Sequence, residues 1–356
     1  MILRQQAEFQ FAEELENLKK TDKQKRPPNW QLSPSAVLTY LTGGKLSNGF
    51  EVSAKYIGNK RLMEIAIATL TTDRALLLYG LPGTAKSWVS EHLSAAISGV
   101  STLLIQGTAG TSEESVRYGW NYARLLSEGP SEAALVSTPV MKAMKEGKLC
   151  RIEELTRMGS DVQDTLITIL SEKMLPIPEL GTEIQAIEGF NIIATANNRD
   201  KGINELSGAL KRRFNTVILP VPESIEEEVE IVHTRVKEMN SHIELPDCFS
   251  LTYDIERVVI IFRELRSGIA NGKTIIKIPS STMSPAEAIS VVNSGLALSA
   301  HFGNGELTAK DLAAGLIGAV VKDPVHDKLV WNEYLETALK GRSMWQDLYN
   351  ACKELE

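Results

Sequence analysis

Gly80-Leu81-Pro82-Gly83-Thr84-Ala85-Lys86-Ser87 sits between an apolar run, Ala75 to Tyr79, and a helical pattern that starts at Ser87, so the local order is strand, loop, helix. A glycine-rich turn in that position aims successive backbone N–H groups and a helix N-terminus at one point, which suits the phosphates of a nucleotide. Lys86 would reach the β and γ phosphates and the Ser87 hydroxyl would hold Mg²⁺. Gly80, Pro82, Gly83, Thr84 and Ala85 form the cradle. Trp88 just beyond it, with Ile57 and Gly58 where the nucleotide domain opens, completes the candidate nucleotide-binding set. One position departs from the G-x-x-x-x-G-K-[ST] pattern: Ala85 replaces the second glycine. An alanine is costly at φ > 0, so the loop is expected to hold a geometry that tolerates a Cβ there.

The 356 residues suffice for two domains, and 43% hydrophobic with 23% charged residues is the composition of a soluble globular chain. A net charge of -7 argues against a surface that wraps nucleic acid, although a local basic pore would escape that average. Cys150, Cys248 and Cys352 lie far apart without C-x-x-C spacing, as in a reduced, intracellular protein with no zinc site. The five histidines are scattered and suggest no metal cluster. The amino terminus lacks the basic and then apolar order of a signal peptide. Ala313 to Val321, the longest apolar run, is about half of a membrane span and reads as a core helix. A cytoplasmic location is therefore expected.

Residues 1 to 20 place Leu3, Phe9, Ala12, Leu15 and Leu18 at helical spacing, as a surface helix packed on its own domain or, less simply, an arm for a partner. Lys23 to Pro28 reads as a linker. Ser33-Pro34 starts a helix that Gly43-Gly44 ends, and Asn59 caps one through Leu70 with an apolar face of Leu62, Ile65, Ala66 and Leu70. Leu103 to Gln106 reads as a second buried strand, Gly110 to Gly119 as a loop with a short helix, and Ser131 as the cap of a longer helix ending at Gly147. Leu149 to Glu154 is a strand ending in paired carboxylates. At the carboxyl edge of a doubly wound sheet these lie beside the phosphate loop, and alternation would turn Glu153 toward Mg²⁺, through a coordinated water, and Glu154 toward the attacking water.

A helix from Asp161, a hairpin over 174–188, and a buried strand from Phe190 that delivers Asn197 and Asn198 to the same edge come next. Leu206 to Phe214, with Arg212 and Arg213, leads to a last strand, Thr216 to Leu219, and Pro220-Val221-Pro222 closes the domain. Beyond it only helices are expected, the first capped by Ser224, with Glu226, Glu227 and Glu228 serving capping and solvation.

In this order and spacing the chain resembles an AAA+ ATPase of the MoxR family, in the helix-2-insert clade that also holds the magnesium-chelatase motor subunits. Gly-Leu-Pro-Gly-Thr-Ala-Lys-Ser at 80–87 has the Ala-Lys variant common in that family. Glu153-Glu154-Leu155 stands where Asp-Glu-Ile is found, Ala194-Thr195-Ala196-Asn197 matches the sensor-1 strand, Leu210 to Phe214 the arginine-finger segment, and Ser284-Pro285 the start of the sensor-2 helix. The hairpin 174–188 looks like the helix-2 insert.

The resemblance implies an α/β fold, a P-loop AAA+ doubly wound parallel sheet with a carboxyl-terminal helical lid. The divisions it implies are an amino-terminal extension over 1–50, the nucleotide-binding domain over 51–221 and the lid over 222–356. It further implies ATP and Mg²⁺, a hexameric ring of identical subunits, and a separate partner carrying a von Willebrand A domain. Each site would combine Lys86, Ser87, Glu153, Glu154 and Asn197 with an arginine from the neighbour, Arg213 or else Arg212. Three positions depart from the family: Glu153 is one methylene longer than aspartate, Arg151 interrupts an apolar strand, and Ala286 stands where the sensor-2 arginine belongs. Gln106 is either a strand-end residue or a partner that restrains the catalytic glutamate. Two other functions share the fold: a nucleic-acid or defence-system motor, for which the hairpin offers only Lys173 against Glu179 and Glu183, and a nucleotide-dependent scaffold with low turnover.

Overall fold

The computed structural model describes residues 4–197, 204–243 and 252–355. Leu3, Asn198 and Cys248 of the sequence reading lie outside these. Contacts divide the chain into two compact units, Met1–Gly80 with Ala85–Leu219 and Leu81–Thr84 with Pro220–Glu356.

The first unit is built on five parallel strands: β1 (Ala75–Gly80), β2 (Leu104–Gln106), β3 (Leu149–Glu153), β4 (Asn191–Asn197) and β5 (Phe214–Ile218). Their spatial order is β5-β1-β4-β3-β2. Alternation distributes their side chains to two cores. Ala75, Leu77, Cys150, Ile152, Ile192 and Ala194 face one core, and Leu76, Leu78, Leu149, Ile193 and Val217 the other. The second core is covered by helices α3 (Pro34–Thr42), α4 (Lys60–Leu70) and α5 (Lys86–Ser98). Helix α6 (Pro139–Glu146) and helix α7 (Ser160–Glu172) cover the first. Ser33 caps α3 and Asn59 caps α4 by accepting from backbone N–H groups, as their sequence positions predict.

Several local expectations need correction. Over residues 4–21 the chain forms two helices, α1 (Ala7–Gln10) and α2 (Ala12–Thr21), broken at Phe11; Leu15 and Leu18 join the core while Phe9 is exposed. The buried face of α4 is Met63, Ala66, Ile67 and Leu70, with Ile65 exposed. Strand β2 forms the sheet edge, so Leu104 is exposed. Ser131 caps no long helix. Instead Tyr118–Trp120 pairs antiparallel with Leu135–Ser137 around the short helix Tyr122–Glu128, and Thr138 caps α6.

This hairpin lies in the connection from β2 to β3, where the second core helix belongs. The Met174–Ile177 and Thr182–Gln185 hairpin lies after α7, in the connection from β3 to β4. By position the insert of the second helix is therefore the former and not 174–188. The two hairpins are joined: the Arg117 guanidinium donates to the Pro176 carbonyl at 3.0 Å and the Tyr118 hydroxyl to Glu179 at 2.8 Å.

The second unit is mainly helical: α8 (Ile225–Ile243), α9 (Thr252–Ser267), α10 (Pro285–Phe302), α11 (Ala309–Val320), α12 (His326–Tyr334) and α13 (Gln346–Glu354). Phe262, Leu265, Val292, Leu296, Leu316, Trp331 and Tyr334 fill its core. It also holds a small antiparallel pair, Ile269–Ala270 with Thr274–Ile275, so helices are not its only elements. Among the described residues no helix is long and apolar enough to cross a membrane, and the run from Ala313 belongs to α11 with its apolar face buried.

The Ser224 hydroxyl caps α8 by accepting from the Glu227 N–H at 3.1 Å, and the Glu227 carboxylate accepts from the Glu223 N–H at 3.0 Å. Glu228 differs: it is fully buried and paired with Arg263 at 3.0 Å and Arg266 at 2.8 Å. A carboxylate withdrawn from water in a helix core requires such partners, and Arg263 and Arg266, one turn apart on α9, supply them.

Candidate functional site

The carboxyl ends of β1, β3 and β4 meet at one edge of the sheet, where an open α/β sheet builds its ligand sites. Gly80 pairs with Asn197 across β1 and β4, and Gln106 with Glu153 across β2 and β3. The phosphate loop leaves β1 at this edge and α5 begins at Lys86. Gly83 adopts φ 77°, and the Thr84 hydroxyl closes the turn on the Leu81 carbonyl at 2.9 Å. Ala85 adopts φ 61° and ψ 18°, the left-handed region. The loop thus demands positive φ at the position where glycine is usual, and the Cβ is carried at a steric cost instead of being accommodated by another geometry.

Lys86 is buried, with its ammonium donating to the Gly80 carbonyl at 3.2 Å. Ser87 is exposed, and its hydroxyl donates to Glu153 Oε2 at 2.6 Å. Because that proton is committed to the carboxylate, the oxygen of Ser87 turns its lone pairs outward, as a cation ligand must. Glu153 also accepts from Thr195 at 2.7 Å on Oε2 and from Ser90 at 2.5 Å and Arg151 at 2.9 Å on Oε1. Burial pushes the Glu153 carboxyl up, but the hydrogen bonds of Ser87 and Ser90, the Arg151 charge and the Thr195 hydroxyl outweigh it and hold the group below the usual carboxylate range. Glu153 is therefore ionised near neutral pH.

Arg151 faces inward, which answers what a charge does in this strand. Sequence reasoning missed its partner, although residues i and i+2 of a strand share a face and Arg151 with Glu153 is such a pair. Ser90, one turn after Ser87, was missed for the same want of a register, and so was Thr195 as a hydroxyl partner of the acid.

Glu154 lies beyond β3 in the left-handed region, φ 54° and ψ 47°. Its N–H donates to the Thr195 hydroxyl at 3.0 Å and its carboxylate accepts from Arg157 at 2.8 Å. A sharp backbone turn, not strand alternation, therefore separates the two carboxylates. Gln106 is exposed and ends β2.

Trp88 spends its indole on structure: Nε1 donates to the Lys55 carbonyl at 2.8 Å, and the ring packs on His92 with centroids 4.1 Å apart. That bond ties the start of α5 to the irregular segment leading into half-buried Ile57 and exposed Gly58, the latter at φ 137°.

Arg212 and Arg213 are not brought to this edge. Phe214 pairs with Ala75 at the start of β1, so both arginines lie at the opposite edge, roughly 16 Å along the strand from Gly80. Arg213 donates to the Ser171 hydroxyl at 2.5 Å and to the Ala209 carbonyl at 2.6 Å, and Arg212 is exposed. In the second unit Ala286 is exposed in the first turn of α10, where Ser284 and Glu287 form a capping box.

The donor set fits a magnesium nucleotide. It combines an ammonium, a hydroxyl with outward lone pairs, an ionised carboxylate behind it and the N–H groups that open a helix.

Comparison with known proteins agrees with this geometry. Residues 75–214 match the family described as AAA domain (dynein-related subfamily), and residues 226–356 the YehL-like AAA+ ATPase C-terminal domain. The uncharacterized protein YehL of Escherichia coli K12 is 39% identical over 353 residues, 97% of this chain and 95% of its own. An uncharacterized protein of Staphylococcus aureus USA300 is 30% identical over 150 residues, 42% of this chain and 56% of its own. Among solved structures, NtrX from Brucella abortus in complex with ADP superposes with a TM-score of 0.52 at 14% identity. The match covers 83% of this chain and 64% of NtrX, and at that identity it speaks to the fold alone. With a five-stranded parallel sheet, a phosphate loop and near full-length likeness to YehL, the chain belongs to the YehL-like AAA+ ATPases.

Proposed function

We propose that this chain is a MoxR-type AAA+ ATPase of the cytoplasm that hydrolyses ATP in a homo-oligomeric, hexameric ring. Its work would be to remodel, activate or help assemble a partner protein, a separate chain with a von Willebrand A domain. The observation that carries the reading is the 2.6 Å bond from Ser87 to the buried, charged Glu153, which joins the phosphate loop to the acidic strand.

Ser87, backed by Glu153, would hold Mg²⁺, which would neutralise charge on the phosphates. Lys86 stabilises the negative oxygens, and Glu154 orients or deprotonates the attacking water once Arg157 releases its carboxylate. Asn197 stands beside Gly80 to hold that water or the terminal phosphate. Arg213, with Arg212 as the alternative, acts on a neighbouring subunit's nucleotide, in keeping with its place at the far edge of its own sheet. NtrX, which shares the fold, is known bound to ADP and to ATP, which favours nucleotide binding here. A second reading, a nucleotide-dependent scaffold with slow turnover, is favoured by the engagement of Glu154 with Arg157.

Steady-state ATPase activity and oligomer mass, with and without ATP, separate the two for wild type, Lys86→Ala, Glu154→Gln and Arg213→Ala. The motor requires wild-type turnover, a stalled assembly for Glu154→Gln, and nucleotide binding without hydrolysis for Arg213→Ala. ATP-bound rings whose turnover equals that of Lys86→Ala establish the scaffold instead. Stimulation of hydrolysis by DNA or RNA at low salt would move the reading to a nucleic-acid motor.

A further inference from the structure

Two departures from the MoxR pattern meet in space: an arginine inside a buried strand, and an acid one methylene longer than aspartate. We propose that they form one device, in which Arg151 is a positioning residue that clamps the longer Glu153 carboxylate so that Oε2 meets Ser87, and thereby sets the Mg²⁺ requirement for nucleotide binding. The inference rests on the nucleotide-hydrolysing reading above.

The Arg151 side chain is 7% exposed and that of Glu153 5%. Arg151 spends four of its five N–H donors within the first unit. Nε reaches the Ser90 hydroxyl at 3.0 Å and Nη1 the Ser101 carbonyl at 3.1 Å. Nη2 reaches the Ser87 carbonyl at 3.1 Å and Glu153 Oε1 at 2.9 Å. The guanidinium thus grips both the acid and the backbone of the residue the acid must address. A lysine has no planar fork with which to do this.

The far oxygen of Glu153 meets Ser87 and Thr195, at 2.6 and 2.7 Å. The carboxylate therefore spans two sets of partners, one on each oxygen. An aspartate carboxylate would be set back by about 1.5 Å, one C–C bond, and could not serve both while Arg151 stays in place. Arginine and long acid are a matched pair. Changing the arginine alone leaves the long carboxylate without its clamp, and shortening the acid alone leaves the guanidinium without the oxygen it grips, whereas changing both removes the extra cation and the extra reach together.

The test is binding of a fluorescent ATP analogue by the full chain, titrated with MgCl₂, for wild type, Arg151→Met, Arg151→Lys, Glu153→Asp and the double variant Arg151→Met/Glu153→Asp. Melting temperature without nucleotide monitors the fold. Each single variant is expected to need about tenfold more Mg²⁺ for half-maximal binding, and the double variant to return to within about threefold of wild type. A well-folded Arg151→Met with the wild-type Mg²⁺ midpoint would overturn the inference, as would a double variant no better than Glu153→Asp. If Arg151→Met does not fold, the comparison of Glu153→Asp with the double variant decides in the same way. A wild-type chain with no Mg²⁺-dependent nucleotide binding would refute the ATPase reading, and the inference with it.

Discussion

Glu153 and Glu228 are both buried carboxylates in the grip of arginine, yet they are built for different ends. Around Glu228 the cations close completely: Arg266 binds both oxygens, Arg263 binds Oε2, and Arg263 also takes the carbonyls of Pro222, Glu223 and Ser224. That arrangement stitches the start of α8 to α9, and with the carboxylate fully buried it leaves no access for a ligand. Around Glu153 a single arginine holds one oxygen, and the other oxygen faces hydroxyls, one of which belongs to an exposed residue at the mouth of the phosphate loop. Burial and an arginine partner do not by themselves identify a functional acid. What distinguishes Glu153 is an oxygen left to partners that can be shared with something from outside.

The comparison breaks most sharply at Glu228. Glu228→Ala strands two guanidinium groups beside an apolar core and is expected to cost about 3–5 kcal/mol of stability, measured by chemical unfolding. A loss below about 1 kcal/mol would mean that the cluster is solvated after all. The same measurement sharpens the other side through Ala85, whose left-handed backbone lies beside Lys86. Ala85→Gly is expected to stabilise the chain by up to about 1 kcal/mol, the steric relief being partly offset by the freer unfolded chain. A destabilised variant would show that the Cβ is packed rather than strained. Smallest is Tyr118→Phe, which removes the hydroxyl bond to Glu179 and should cost about 0.5–1 kcal/mol. Burial, then that hydrogen bond, pushes the Tyr118 phenol up to about 12, so its share of stability should be constant from pH 6 to pH 9. A pH-dependent cost in that window would place the hydroxyl elsewhere.

Where a residue's partner is near in sequence, or its position is dictated by a loop that only one chemistry needs, the chain could be read directly. Lys86, Ser87, Glu153 and the strand ending at Asn197 fall in that class, and so do the caps at Ser33 and Asn59. Arg151 and Glu228 do not, because their surroundings come from register and helix packing: Ser90, Ser101 and Thr195 for one, Arg263 and Arg266 for the other. The Leu135–Ser137 strand was hidden for a related reason. Three residues are too few for a period of two to appear, and Glu132-Ala133-Ala134 just before it are helix formers. Its end was nonetheless written in the chain, since Thr138-Pro139 is a cap followed by a proline at the first helical position, a stronger start for α6 than Ser131.

The bonds from Arg117 to Pro176 and from Tyr118 to Glu179 close loops of 59 and 61 residues that contain β3 and α7. Closure of that length carries an entropic cost which is recovered only after the intervening strand and helix have docked, so this bridge belongs to the late steps of folding. Weakening it therefore acts on the rate at which the native state opens and leaves the rate of its formation nearly unchanged. The two hairpins are thus expected to act as a kinetic latch on the sheet, and Tyr118→Phe to speed unfolding while leaving the refolding rate nearly unchanged.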